Sequence, residues 1–219
     1  MNLSKRLEAI LSMIDPCQRL LDIGSDHAFL CIEAVKRGIS KTAIAADNKQ
    51  GPLDISKNNI KNENMSDLVI PVLSDGATNI SKPCDCWVIA GLGASTITQI
   101  LNDSLDKAKL VDQIIISTHS KVEEVRAFLY TNGFNITNQR MIKDGKYYPI
   151  LKTKYTGIKY DYTTHDLIIG NIEKDSTYYQ WIDHQRKHYL ELSKLNSEFD
   201  LYYQLFNQES FRNQSQDMD

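Results

Sequence analysis

The sequence of 219 residues has no apolar run approaching the roughly 18 residues needed to cross a bilayer. Residues 1–14 interleave charged and apolar side chains, so no signal-peptide core and no membrane partner are expected, and the chain is expected to be cytoplasmic. Cysteine is scarce. Cys17, Cys31, Cys84 and Cys86 include one close pair, whose spacing would set both thiols on one face of a strand. That pattern excludes a zinc motif and a disulfide framework, leaving four reduced packing thiols and no metal site. Positive charge is not in excess either: 25 Lys and Arg face 28 Asp and Glu, a net charge of -3 without the footprint of a strongly basic nucleic-acid binder. The distribution is uneven. Up to Tyr155 there are 19 basic and 17 acidic residues, and from Thr156 onward 6 and 11, so a polyanion should meet the first part of the chain while the tail supplies shape. There is no internal repeat and no low-complexity tract.

What is present is an alternation of short β-rich runs with helical stretches, the pattern of a mostly parallel sheet covered on both faces. Strands are predicted over 19–23, 42–47, 68–73, 86–90, 113–118, 135–142 and 147–153. Helices are predicted over 28–37, 52–62, 95–101 and 121–131, with an opening amphipathic helix over 5–14. The last two strands are joined by Lys143-Asp144-Gly145-Lys146, and an Asp-Gly pair between extended runs marks a hairpin whose two central residues take positive φ. Five strand-helix units closing in a hairpin outline the α/β, Rossmann-like seven-stranded sheet of a class I methyltransferase, and this ending differs from a six-strand dinucleotide-binding sheet. After Tyr160 the strand signal stops. Asp175 or Ser176 can cap a helix carrying Tyr178, Trp181, Ile182, Gln185, Tyr189, Leu192 and Leu195, and a second helix follows Asn196-Ser197 with Phe199, Tyr202, Tyr203 and Phe206. The chain therefore divides into residues 1–157, a catalytic domain, and residues 158–219, a small coiled-coil-like α-helical hairpin domain. The aromatic stripe of the hairpin has two uses, packing between its helices or stacking on nucleobases, and its helical spacing favours packing. The end, from Asn213 to Asp219, is polar and expected to fray.

In such a sheet ligands sit at the C-terminal ends of the first strands. The first strand ends in Asp22-Ile23-Gly24-Ser25-Asp26-His27-Ala28. Gly24 permits a tight turn and close approach of a ligand, and the following helix start offers unpaired N–H groups. Asp26 and Ala28 stand where the second and third glycines of a dinucleotide fingerprint would be. A carboxylate there repels a pyrophosphate but suits a cationic sulfonium, which favours S-adenosylmethionine over NAD. The second strand ends at Asp47-Asn48, in position to accept ribose hydroxyls, and the third at Ser74-Asp75-Gly76, beside an adenine amino group. The fourth ends in Ala90-Gly91-Leu92-Gly93-Ala94, small residues that leave room for a planar acceptor. Two chemistries lack their residues. No Asn/Asp-Pro-Pro-aromatic run for exocyclic amines is present, and Cys84 precedes the fourth strand, misplaced for a pyrimidine nucleophile.

Together these segments resemble the bacterial tRNA (adenine-N1)-methyltransferase family TrmK, which acts on adenosine 22 of tRNA. The resemblance rests on Leu3-Ser4-Lys5-Arg6-Leu7, residues 22–29, Asp47 with Gly51-Pro52, Asp75-Gly76, residues 90–93 and Asp144-Gly145-Lys146-Tyr147-Tyr148. It implies a class I fold, S-adenosyl-L-methionine as cofactor and tRNA as partner, with no DNA and no obligate protein partner. Cofactor contacts are then expected at Asp22, Gly24, Ser25, His27, Asp47, Asn48, Asp75, Gly76, Ala90 and Gly91. The chain departs from the family at Ala94, where a glycine is usual, at Ser117-Thr118-His119, where Gln-Pro-Asn is usual, and at Pro149, where an acid is usual. His119 is then a variation of the substrate pocket or a tolerated loop residue.

Adenine N1 carries an in-plane lone pair, so it can attack a methyl group without a covalent enzyme intermediate. Positioning then supplies most of the catalysis, up to roughly 7 to 11 kcal/mol. The base must also be exposed, at a cost of a few kcal/mol. Asp26 and His27 are the candidate catalytic pair, Asp26 facing the developing cation and His27 orienting base or cofactor; the alternative is that both only bind cofactor or cap the next helix. RNA contacts are expected from Lys5, Arg6, Gly93, Lys143 and Lys146, and from Lys36, Arg37 and Lys41 around the mouth of the site. Two rival functions remain at this point, a small-molecule methyltransferase and a non-catalytic RNA-binding protein retaining the fold.

Overall fold

The computed structural model describes residues 3–214, with side chains described to Phe211; the expected frayed end, 213–219, lies outside the described side chains. Strands β1 (Cys17–Ile23), β2 (Ser40–Asp47), β3 (Val69–Leu73), β4 (Cys86–Leu92), β5 (Gln113–Thr118), β6 (Phe134–Asp144) and β7 (Lys146–Tyr155) form one sheet ordered β3-β2-β1-β4-β5-β7-β6. The first five are parallel, and β7 lies antiparallel between β5 and β6. Around them run α1 (Lys5–Ser12), α2 (Phe29–Lys36), α3 (Gln50–Asn62), α4 (Ala94–Asp103), α5 (Leu105–Ala108) and α6 (Val122–Thr131). Three more helices follow: α7 (Thr164–Ile168), α8 (Ser176–Ser193) and α9 (Asp200–Gln214).

Strand alternation builds the two cores. Leu20 points into a cluster with Ile10, Cys31 and Ile60 from α1, α2 and α3, whereas its neighbour Leu21 points into a second cluster with Ile97, Leu101 and Leu129 from α4 and α6. Both leucines are fully buried, each contributing roughly 1.5 to 3 kcal/mol of apolar transfer. A third cluster joins Met141 of β6 to Ile168, Ile169, Tyr178, Trp181, Ile182 and Phe206. The packing reading of the aromatic stripe holds for Tyr178, Trp181 and Phe206.

Four sequence expectations change. There are four strand-helix units, not five: no helix is predicted between the third and fourth strands and none is found, residues 74–80 making turns around Ser74, whose hydroxyl donates to the Gly76 carbonyl at 3.0 Å. The opening helix stops at Ser12. The β6–β7 turn is tighter than a two-residue hairpin, because Asp144 pairs with Lys146 and Gly145 alone takes positive φ, at +73°. Cys84 lies outside the strand, so it does not share a face of β4 with Cys86; all four thiols are free.

The helical part is joined to the sheet through Arg126 of α6, which is fully buried. Its Nε donates to Gln139 Oε1 at 2.9 Å, and its guanidinium donates to the carbonyls of Leu167 (2.6 Å), Ile168 (3.1 Å) and Ile169 (3.1 Å) at the C-terminal end of α7. A cation there meets both the unpaired carbonyls and the negative end of the helix. Gly170 makes this possible. It sits at φ +70°, and a Cβ on it would come within 2.7 Å of Arg126 Cζ.

Candidate active site

The chain reverses strand order between β1 and β4, and the crevice at that switch point opens at the C-terminal ends of the strands. Two cavities lie side by side there. One, of about 390 Å³, is lined by Asp47, Asn48, Asp75, Gly76, Leu92 and Ile100 among others. The other, of about 300 Å³, is lined by Arg6, Asp22, Ser25, His27, Ala90 and His119 among others. Gly24, Asp26 and Gly91 line both and form the waist between them.

The waist is shaped by glycine. Gly24 and Gly91 both adopt φ +80°, a region closed to most L side chains, and a Cβ on Gly91 would lie 3.7 Å from both Arg6 Nη2 and His119 Nε2. The β1 loop is fixed from two sides. Gly24 and Ser25 donate their N–H groups to the Ala46 carbonyl at 2.9 Å, while Ser56 and Asn59 of α3 donate to the carbonyls of Ser25 and His27, each at 3.0 Å. Ala28 then enters the left-handed region at φ +57° to start α2, and no side chain caps that helix. The capping alternative for Asp26 and His27 is therefore not what their side chains do. His27 Nε2 lies 3.1 Å from Asp26 Oδ2, and the His27 ring stacks on Phe29 at 5.1 Å, with both polar groups open to solvent.

Charge divides between the two cavities. Asp22 is buried at the base of the second one, and burial pushes its carboxyl up to about 6, against the lowering pull of the Ser25 hydroxyl and with a further push from Asp47. Arg6 stands across that cavity with its guanidinium 4.9 Å over the Tyr148 ring. The His119 ring meets Tyr148 edge-on at 5.6 Å. An acid and a guanidinium facing one small cavity suit an amino-acid zwitterion. In the first cavity Asp47 lines the cleft while its Oδ1 accepts from the Lys49 N–H at 2.8 Å, and Leu92 and Ile100 offer apolar walls for a flat ring.

The predicted site residues thus converge, with exceptions. Ser25 is buried, and Ala90 lines the second cavity alone. Gly93 lines neither cavity; it begins α4, and a side chain there would meet open space. Lys5, Lys143 and Lys146 are exposed, and Lys143 Nζ lies 5.2 Å over the Tyr147 ring. Lys36, Arg37 and Lys41 do not surround the mouth. α2 carries the chain back across the sheet, leaving them at the opposite end, where Lys36 pairs with Glu63 and Arg37 with Glu8 (2.6 Å) and Glu33 (3.0 Å). Arg6, expected on the RNA face, turns inward. A larger cavity of about 520 Å³ also lies at that far end, but its Lys152 and Arg140 are already paired with Asp15 and Glu173.

A family described as "Methyltransferase domain" matches residues 3–151. The chain is 29% identical over 153 residues to the tRNA (adenine(22)-N(1))-methyltransferase of Bacillus subtilis, a stretch covering 69% of this chain and 64% of that protein. It is 27% identical over 174 residues to a putative tRNA methyltransferase of Mycoplasma genitalium, covering 77% of each. Among solved structures, the putative tRNA (m1A22) methyltransferase Sp1610 of Streptococcus pneumoniae, in complex with S-adenosyl-L-methionine, superposes with a TM-score of 0.89 at 25% identity over 95% of this chain and 100% of that one.

Proposed function

The chain belongs to the methyltransferase domain family, and on that premise we propose that it is a cytoplasmic enzyme methylating N1 of adenosine 22 in tRNA, with S-adenosyl-L-methionine as donor. The observation that carries the reading is the pair of cavities meeting at Gly24, Asp26 and Gly91. Their linings differ as the two halves of that cofactor differ. Asp47 and Asn48 would hold the ribose, and Asp75 with Leu92 and Ile100 would hold the adenine. Asp22 would face the α-ammonium and Arg6 the carboxylate of the methionine half. The relatives named as acting on adenosine 22 support the choice of acceptor.

When bound, the cofactor supplies a methyl group on a positively charged sulfur. The waist residues do the rest. Glycine at 24 and 91 lets backbone approach both reactants, so positioning falls to main chain that cannot swing away. Because Asp26 lines both cavities, its carboxylate would face the positive charge whether it resides on the donor or on the methylated base. His27, at 3.1 Å, restrains the carboxylate. Gly93, expected beside the acceptor, has open space where a side chain would stand and so leaves room for a base to approach the end of β4. Residues 158–219 serve as the tRNA-contacting appendage.

The test is methyl transfer from labelled cofactor to an unmodified tRNA transcript, run beside a transcript carrying guanosine at position 22. Label on the first transcript alone is the expected result. Equal labelling of both would overturn the site assignment, and transfer to a metabolite but to neither transcript would overturn the tRNA reading.

A further inference from the structure

A groove of about 260 Å³ runs between the end of β5, the β6–β7 hairpin and the helical domain. Its floor includes Met141, Pro149, Trp181 and Phe206, and its rim includes Tyr147, Tyr189 and Tyr202. It touches the catalytic cavities at one residue, His119, and shares none of Gly24, Asp26 or Gly91 with them. Anything seated here therefore adjoins the acceptor without reaching the transferred methyl.

The lining is not that of a closing hydrophobic seam. Tyr147, Tyr189 and Tyr202 stay partly exposed although Tyr189 stacks on Tyr202 at 4.9 Å and on Phe206 at 5.6 Å. Two polar side chains, Gln185 of α8 and Glu123 of α6, line the groove with no hydrogen bond or ion pair to the rest of the described chain. Lys121, at the groove's edge, is held at φ +53°; among the described residues only three non-glycines have positive φ, and two of them, Ala28 and Lys121, start the helices that flank the site. Such strain collects at functional surfaces. Lys121 and Lys143 put positive charge beside the aromatic rim, Lys121 being paired with Glu124 at 2.8 Å. Aromatic faces, hydrogen-bonding groups without partners and nearby ammonium groups together match an unpaired nucleotide: a π-face, a base edge with donors and acceptors, and a phosphate.

We propose that this groove is a second nucleotide subsite, which stacks the base next to the target adenosine, reads its edge with Gln185 and Glu123, and so holds the tRNA strand open for methylation. The inference rests on the tRNA reading above. Stacking accepts any base, while a carboxylate acceptor beside an amide favours a base with an exocyclic amino group.

The experiment measures kcat and KM for tRNA with the full chain at saturating cofactor. It compares the wild type with Gln185→Ala and Glu123→Gln, on transcripts in which the nucleotide 5′ or 3′ of the target is abasic. For the wild type, one of the two abasic transcripts should raise KM about tenfold with little change in kcat. The two variants should raise KM on intact tRNA, by less than the abasic change does, and should match the wild type on that abasic transcript, since the base edge they read is absent there. Calorimetry should show unchanged cofactor affinity. A wild type that methylates both abasic transcripts as well as intact tRNA overturns the subsite, as do variant and abasic effects that simply multiply. Absence of transfer to intact tRNA by the wild type overturns the functional reading itself, a separate result.

Discussion

Asp22→Asn should make the cofactor-free protein more stable and the enzyme worse. In the folded chain burial holds the Asp22 carboxyl up at about 6, against an ordinary value of 3.8. Keeping that group ionised at neutral pH therefore costs the fold about 3 kcal/mol, at 1.36 kcal/mol for each pH unit of separation. An amide has the same shape and no charge, but its new N–H donors must be satisfied at about 1 kcal/mol. The remainder, about 2 kcal/mol, corresponds to a rise in Tm of roughly 4 to 8 °C for a chain of this size. The sign with pH follows from a raised folded value: the favourable contribution of protonated Asp22 is full below 3.8 and is lost as pH rises through about 6. The advantage of Asp22→Asn is thus greatest near pH 7.5, at about 2 kcal/mol, and falls to roughly a third of that at pH 5, where Asp22 is largely protonated in the folded chain and the amide cost remains. Differential scanning fluorimetry between pH 5 and 8, without cofactor, measures both. With S-adenosyl-L-methionine the order should invert, because a facing ammonium lowers Asp22 again and ligand binding adds stability only where it is tight. A variant less stable than the wild type at pH 7.5 without cofactor, or an advantage independent of pH, would refute the argument.

Asp26→Asn should lower single-turnover methylation by roughly 100-fold or more while cofactor affinity by calorimetry changes only a few-fold, the loss expected when a preorganised charge is removed; equal turnover would remove Asp26 from the chemistry. Gly170→Ala combines a strained left-handed alanine with a contact into Arg126, and should cost about 2 kcal/mol or more, seen as a lower Tm and as early loss of the Trp181 fluorescence signature of the helical part. Glu209 reports on the same region at acid pH. Burial would raise its carboxyl, but hydrogen bonds from Lys174 (2.8 Å) and the Tyr178 hydroxyl (2.7 Å), with His165 nearby, outweigh this and bring it down to about 2. Its stabilisation is present above pH 4.5 and is lost as pH falls through about 2, so circular dichroism should show the gap between wild type and Glu209→Gln closing over that range.

The sheet was readable from the chain because its parallel strands are apolar on both faces and end at small or acidic residues. Residues 113–118 match β5 to the residue, and Asp22, Asp47 and Asp75 do stand at successive strand ends. What failed depends on direction and distance, which linear order does not carry. Lys36 and Arg37 are close in sequence to the cofactor loop, yet one helical traverse takes them to the far end of the sheet. Arg6 lies on an amphipathic helix whose exposed face cannot be oriented without Tyr148, 142 positions away, which draws the guanidinium inward. The five residues of α7 carry too little periodicity to be recognised; their helix is stabilised by the Thr163–Asp166 capping box at one end and Arg126 at the other. The groove escaped notice because Glu123, Tyr147, Gln185 and Tyr202 meet only in three dimensions.

The buried guanidinium of Arg126 also bears on how such proteins can be recombined. A helical appendage held by surface contacts could be transplanted between sheets at a linker such as the one near residue 157. Here a cut at that point would strand a charge in the interior of the first piece and leave the last turn of α7 without its cap in the second. A chimera would have to move Arg126, Gln139 and Gly170 as one inherited set, and neither half expressed alone should reach its native packing.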